Sequence, residues 1–154
     1  RGEPVCVDVA CTTEGYLADA TRTFSIGPLD DDMQAAYALA CEILHAVAAA
    51  ARPGVTGREL YEQARDLAAP FENFMGEGDE RVSFVGHGVG LEIDEPPYLA
   101  AGHDTPLEAG MVFALEPKFV FPGRGAVGVE NTYVVTPEGG RSLNAAPEQL
   151  VAVP

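Results

Sequence analysis

Two pairs of acidic residues lie on segments whose patterns are typical of β-hairpin arms. Asp8 and Asp19 flank a Thr-Glu-Gly turn signal, and a turn centred on its first two residues would place them directly opposite each other. Glu116 and Glu130 would face each other in the same way across a Pro-Gly-Arg-Gly turn. Like charges directly opposite on a sheet are destabilising, so both pairs need an explanation.

A divalent cation between the members of each pair would remove this repulsion. The apolar residues beside the acids predict buried strands, in which unpaired carboxylates are costly. Four carboxylates would balance the charge of two divalent cations. Alternatively, one pair faces solvent or forms salt bridges with Arg22 or Arg124, and spacing alone favours neither interpretation. The apolar residues are Val5, Val7, Val9, Phe113, Leu115, Val127, Val129 and Val134.

The order of helical and extended patterns predicts an α+β fold. One helix is expected from the acidic residues at 30–32 to about Ala51, and another from a T-x-x-E capping box at 56–59 to a stop before Pro70. No linker divides the chain, which is therefore expected to be a single domain over 1–154. Residues 88–110 are expected to be rich in turns with extended stretches, and the tail from 137 to be irregular. Strands are predicted at 4–10, 16–26, 82–86, 111–121 and 126–136, with a short last strand near 150–151.

Composition excludes several classes of partner. The 154 residues carry a formal net charge of −15, which disfavours binding to nucleic acid or to an anionic membrane surface. No uninterrupted apolar run approaches the roughly 20 residues that span a bilayer. The three cysteines form no C-x-x-C motif, which argues against a thiolate metal site and favours a reducing cytoplasm.

Four sequence blocks together resemble the pita-bread metallopeptidases, a group that includes aminopeptidase P, prolidase, methionine aminopeptidase and creatinase. Their order and spacing are most similar to the Xaa-Pro peptidase branch, and the resemblance covers residues 4 to about 136. It implies a curved antiparallel sheet backed by helices, in the C-terminal portion of a catalytic domain whose N-terminal helix pair is absent. The blocks are VDVACTTEGYLADATRTF, GHGVGLEIDEPPYLA, LEAGMVFALEP and GVENTYVVT.

The resemblance implies a dinuclear metal site and a role for each of its residues. Asp8 matches the first aspartate ligand, Asp19 the bridging aspartate and His87 the lone histidine ligand, while Glu116 and Glu130 match the two glutamates. Two divalent ions are implied, and this donor set suits Mn, Co, Fe or Zn. A water bridging the ions would attack a short peptide before proline, with Glu116 as general base.

Three positions depart from the family pattern. Asp94 stands where the family has a second histidine in its catalytic block. It would serve catalysis if burial raised its pKa or if it bound a cationic substrate group. Gly128 and Asn131 replace an arginine and an aspartate, and the absence of that arginine would remove a cation that orients the carboxylates.

These departures keep two other functions open. A creatinase-like hydrolase of a small amide or other non-peptide C–N bond is one, and a pita-bread binding module without catalysis is the other. We also expect apolar sheet surface to be exposed and covered by association, as a homo-oligomer or with the missing N-terminal part.

Overall fold

The structure is a computed structural model that describes all 154 residues, except for the side chain of residue 80. The described residues form two α-helices, one short 3-10 helix at Gly78–Glu80 and ten β-strands, which confirms the α+β prediction. The strands are β1 Pro4–Thr13, β2 Tyr16–Ile26, β3 Phe84–Gly88, β4 Glu95–Ala100, β5 Val112–Leu115, β6 Lys118–Phe121, β7 Gly125–Gly128, β8 Asn131–Thr136, β9 Gly139–Ser142 and β10 Val151–Val153.

The two helices follow from local signals in the sequence. Helix α1 spans Asp31–Ala50, and its two acidic residues in the first turn complement the helix dipole. Helix α2 spans Gly57–Leu67 and is capped by Thr56, whose hydroxyl accepts a hydrogen bond from the backbone N–H of Glu59. The Glu59 side chain accepts from the backbone N–H of Thr56 in return, which confirms the predicted capping box.

Helix α1 is more apolar over its whole length than the sequence analysis allowed. The helix has 20 residues, and an 18-residue window of it has a mean hydropathy of 1.3, which would suffice, by length and composition alone, to cross a membrane. One face of α1 instead packs into the core beside α2, β6, β7 and β9. The sequence analysis considered only uninterrupted apolar runs and did not identify α1, which contains Gln34, Glu42 and His45. Eight of its residues are buried in the core. Its buried residues are Met33, Ala36, Tyr37, Ala40, Ile43, Leu44, Val47 and Ala48.

Three sheets meet at the core. A three-stranded sheet has the order β1-β2-β10, a five-stranded sheet the order β4-β3-β5-β8-β9, and β6 pairs with β7 alone. All neighbours are antiparallel except β10, which runs parallel to β2. Strands β4 and β9 lie in segments for which the sequence predicted only extended stretches and an irregular tail, respectively.

The first hairpin is tighter than predicted. Its loop is Glu14-Gly15, and both residues have positive φ angles, 53° and 89°, as a two-residue turn of this hand requires. Asp8 therefore lies opposite Thr21, and Asp19 lies opposite Ala10. The predicted direct pairing of Asp8 with Asp19 was wrong by two residues, because the turn centre lies one residue later. The shift preserves their shared face, on which they are diagonal neighbours.

The second hairpin has the predicted register but is divided between two sheets. Strand β5 pairs with β8 and β6 pairs with β7 in one continuous register, which places Glu116 opposite Glu130 at the break between the two pairs. The N–H of Glu116 donates to Val85 O on β3, and the N–H of Glu130 donates to Thr21 O on β2. Both glutamates therefore lie where the hairpin leaves the five-stranded sheet and approaches the three-stranded one.

Strand β1 is exposed on both faces over nearly its whole length. Val5, Val7 and Val9 are 46%, 41% and 53% exposed, so the predicted burial of this strand was wrong. The reason is its position at the edge of its sheet, where β2 is the only strand that pairs with it. Its contacts with β7 leave the valines exposed. An apolar face is left uncovered, as expected.

Candidate metal centre

Three buried side chains converge where the sheets meet. Asp19 on β2, His87 on β3 and Glu130 between β7 and β8 each offer one ligand atom, and these atoms lie within 4.8 Å of one another. All three residues are at most 7% exposed. They come from three of the predicted sequence blocks, so the fold brings together residues that are far apart in the chain.

Threonine hydroxyls fix the positions of the two buried acids. The Thr132 hydroxyl donates to the backbone carbonyl of Asp19 at 2.8 Å and accepts from its N–H at 3.0 Å. The Thr21 hydroxyl donates to Glu130 Oε2 at 2.7 Å. The sequence analysis did not identify these threonines, although Thr21 follows Asp19 by two residues and therefore shares its strand face.

Glu116 and Asp8 lie beside this cluster. Glu116 Oε1 is 3.4 Å from His87 Nε2, and Asp8 approaches Asp19 closely enough to act on its ionisation. Asp8 and Glu116 also line one cavity of about 120 Å³, together with Cys6, Thr21 and Lys118. All five predicted ligand residues thus lie in one region, with Asp8 on the exposed edge strand.

The electrostatics of the cluster reflect crowded negative charge. Burial and the charge of Asp8 raise the pKa of Asp19. Burial and the charges of Glu116, Asp19 and Asp8 raise the pKa of Glu130 to about 8. Burial alone would lower the pKa of His87, but hydrogen bonds to Glu116 and Gly88 and the charge of Asp94 raise it to about 9. Asp19, Glu130 and His87 therefore retain protons more readily than usual. Bound metal cations would remove the same repulsion between the carboxylates.

Asp94 lies at the outer side of His87. Its Oδ1 is 3.2 Å from His87 Nδ1, and its side chain is 52% exposed. The burial on which one of its two expected roles depended is therefore missing. His87 Nδ1 also lies 3.0 Å from Gly88 O, so the outer nitrogen of the ring faces two acceptors. This contact leaves Nε2 directed towards Glu116 and the cluster.

Two cations adjoin the acids, although residue 128 is glycine. Lys118 Nζ donates to Glu116 Oε2 at 2.6 Å. Arg22 donates to the backbone carbonyl of Glu130 at 2.7 Å and to Asn131 Oδ1 at 2.8 Å. Cations therefore adjoin the acids even though the arginine expected at residue 128 is absent. Lys118, the only lysine in the sequence, lies two residues beyond Glu116, and this spacing would have indicated it.

The donor set fits divalent transition metals. Buried carboxylates with a single imidazole suit ions that accept both oxygen and nitrogen ligands. Held together without cations, such carboxylates repel one another, as the raised pKa of Glu130 indicates. Asp19, His87 and Glu130 could hold one ion directly, and Glu116 and Asp8 lie in position to complete a larger set.

Comparisons with known proteins identify the family of the chain. A family model described as metallopeptidase family M24 matches residues 1–137. The probable dipeptidase PepE of Mycobacterium tuberculosis H37Rv is 40% identical over 155 residues, covering 100% of this chain and 40% of the relative. The Xaa-Pro dipeptidase of Pyrococcus furiosus is 33% identical over 151 residues, covering 98% of this chain and 42% of the relative.

A solved structure extends the similarity to three dimensions. The crystal structure of dipeptidase PepE from Mycobacterium ulcerans superposes with a TM-score of 0.89 at 41% identity, over 99% of this chain and 40% of that chain. The present chain therefore spans about two fifths of the length of the relatives it matches.

Proposed function

The chain belongs to metallopeptidase family M24, and we propose that it forms the metal-binding portion of a peptidase that hydrolyses short peptides at Xaa-Pro bonds. Its mixed architecture is that of the pita-bread fold. The observation that carries the proposal is the buried convergence of Asp19, His87 and Glu130. The names of these relatives, dipeptidase and Xaa-Pro dipeptidase, support the substrate class.

Five residues would hold two divalent ions. Asp19, His87 and Glu130 form the innermost group, while Asp8 and Glu116 approach it from the cavity. When bound, such ions supply a Lewis acid for the scissile carbonyl and activate water at neutral pH. The ligand chemistry is compatible with Mn, Co, Fe or Zn.

Glu116 is the group best placed to move a proton. Burial raises its pKa, but the hydrogen bonds and charges of His87 and Lys118 outweigh that effect and lower the pKa below its usual value. The carboxylate is therefore anionic at neutral pH and can accept a proton from an attacking water. Its position between His87 and Lys118 keeps it directed at the cluster.

Asp94 supports a second role at the mouth of the site. Because its carboxylate is half-exposed and lies beside His87, it could bind a cationic group of the substrate such as a free amine. The same carboxylate favours a second candidate function, hydrolysis of a non-peptide C–N bond in a small cationic amide. Asp94→His separates the two candidates, because it would raise Xaa-Pro hydrolysis by a peptidase and abolish turnover of a cationic small amide.

The first test of the proposal is metal stoichiometry. The chain is dialysed against Mn²⁺ or Co²⁺ and analysed for bound metal, beside Glu130→Gln and a control, Glu72→Gln, at an exposed site. Two ions per chain in the parent and the control, with loss in Glu130→Gln, would support the proposal. No bound metal in the parent chain would refute it.

The second test is hydrolysis of Xaa-Pro dipeptides by the loaded chain. Turnover that depends on added metal and disappears in Glu130→Gln is the expected result. Stoichiometric metal binding without hydrolysis of any Xaa-Pro or amide substrate would indicate a binding module instead.

The exposed edge strand supports a proposal about assembly. Val5, Val7 and Val9 leave an apolar strip on β1, and the backbone groups of an edge strand can pair with another strand. We expect this face to be covered by a second copy or by a further segment of the protein. Sedimentation analysis of a stable, fully monomeric chain would contradict this expectation.

A further inference from the structure

Lys118 is bound within the carboxylate cluster rather than extended into solvent. It begins β6, and its Nζ donates to Glu116 Oε2 at 2.6 Å. The Lys118 side chain is 31% exposed and its partner only 13%. The charges of Glu130 and Asp8 also act on the ammonium group. The ammonium group therefore donates a hydrogen bond to one proposed metal ligand and interacts electrostatically with two others.

Gly128 provides the space for this lysine. The two residues lie directly opposite each other in the β6–β7 pair. A Cβ at residue 128 would lie 2.7 Å from Lys118 Cβ and 3.0 Å from Pro117 O, which is closer than side-chain atoms normally approach. The closest contact is with the Cβ of residue 118, so a side chain at 128 requires glycine at 118. It also requires a small shift of the β6 backbone, because Pro117 O and Lys118 Cα would lie 3.0 and 3.1 Å from the added Cβ.

The two oxygens of Glu116 have different partners. Oε1 lies 3.4 Å from His87 Nε2, on the side of the cluster, while Oε2 accepts from Lys118. A charge-assisted hydrogen bond of this kind restricts rotation of the carboxylate. The lysine thus leaves Oε1 as the oxygen presented to the cluster.

We propose that Lys118 is a positioning residue of the metal centre, which holds Glu116 in the orientation of a ligand and for which Gly128 provides the space. The inference rests on the proposed function only in so far as the cluster binds divalent cations. It predicts that a basic side chain can hold Glu116 from residue 118 or from residue 128, provided that the other of these two residues is glycine.

If only the charge of Lys118 mattered, replacing it with a neutral residue would strengthen metal binding. Removing a positive charge from the neighbourhood of four carboxylates strengthens their attraction for a divalent cation. Loss of orientation weakens binding, because partners that orient metal ligands contribute about 10- to 100-fold to metal affinity. The direction of the change therefore distinguishes a positioning residue from a mere competitor of the metal.

The experiment measures Mn²⁺ affinity by competition with a fluorescent chelator, with no peptide present. Lys118→Met removes the charge and keeps the approximate length, and Lys118→Arg retains a donor. The double variant Lys118→Gly/Gly128→Arg transposes the cation to the opposite strand. Unfolding in urea with EDTA is recorded for each variant, so that affinities are compared only between folded proteins.

We expect Lys118→Met to bind Mn²⁺ about 10- to 100-fold more weakly, and Lys118→Arg to remain within about threefold of the parent chain. The transposed double variant should recover most of the loss, whereas Gly128→Arg alone should be destabilised by the close approach to Lys118. Tighter binding by Lys118→Met, or failure of both arginine variants to recover affinity, would overturn the proposal. Because no substrate is used, lack of peptidase activity would leave this outcome unaffected.

Discussion

Replacing Glu130 with glutamine should stabilise the metal-free chain at neutral pH and remove its stabilisation by divalent cations. Glu130 is 2% exposed and surrounded by acids. Glutamine has nearly the same shape, and its amide oxygen can accept the hydrogen bond that Thr21 donates to Glu130. The substitution therefore removes a charge while preserving the packing.

The magnitude follows from the pKa. Folding raises the pKa of Glu130 from 4.5 to about 8, so between these values the folded chain retains a proton that the unfolded chain releases. Stability consequently falls as pH rises through this window. At pH 7 the loss amounts to about 3 kcal/mol, at about 1.4 kcal/mol per pH unit above the unfolded value.

Urea unfolding in the presence of EDTA, at pH 5 and at pH 7, measures this loss. The parent chain should lose stability between the two pH values, and Glu130→Gln should lose roughly 2 to 3 kcal/mol less, because part of the total loss has already occurred at pH 5. A residual slope is expected in the variant, because burial raises the pKa of Asp19 and the acids around His87 raise its pKa to about 9. Glu72→Gln should follow the parent. Equal slopes in the parent and Glu130→Gln would refute the reasoning.

Three further predictions concern the metal, a helix cap and a glycine. At 100 times its Kd, Mn²⁺ should stabilise the parent chain by about 2.7 kcal/mol and Glu130→Gln hardly at all; thermal unfolding measures this, and an equal shift in both would contradict it. Thr56→Ala removes the capping box and should lower the free energy of unfolding by about 1 kcal/mol, whereas Thr56→Ser should retain most of the stabilisation by the cap. Gly88→Ala would place a Cβ against the backbone oxygens of Glu95 and Pro96, so we expect a loss of about 1–3 kcal/mol in urea unfolding and weaker Mn²⁺ binding. Parent-like stability and affinity would show that β3 and β4 separate without cost.

Helices and hairpins that depend on residues within a few positions of each other were predicted correctly more often than features that depend on distant parts of the chain. The capping box of α2 and the register of the second hairpin are encoded by residues within a few positions of each turn, and both predictions were confirmed. The first hairpin was misplaced because Glu14 adopts a positive φ, 53°, which few residues other than glycine do and which its residue type does not indicate. Strand β9 lacks an alternating apolar pattern, since two of its four residues are glycines.

The sequence analysis predicted which residues form the candidate site, but it did not predict their burial or the charged groups beside them. The five proposed ligand residues lie together, yet alternation on β1 could not reveal that its valines are exposed, since burial depends on what lies beside the edge strand. The cation beside Glu116 was also missed. The sequence shows a glycine at 128, whereas only the strand pairing shows that Lys118 fills the space opposite it.

The meeting of three sheets at the cluster has a consequence for the order of folding events. Asp19 and Thr132, which hold the site together, are 113 residues apart in the chain, and contacts of such separation form late because the loop between them must first be closed. The helices and the two hairpins are local and can form earlier. Metal affinity should therefore arise only when the three sheets dock. During refolding, the time course of divalent-cation binding would report when that final step occurs.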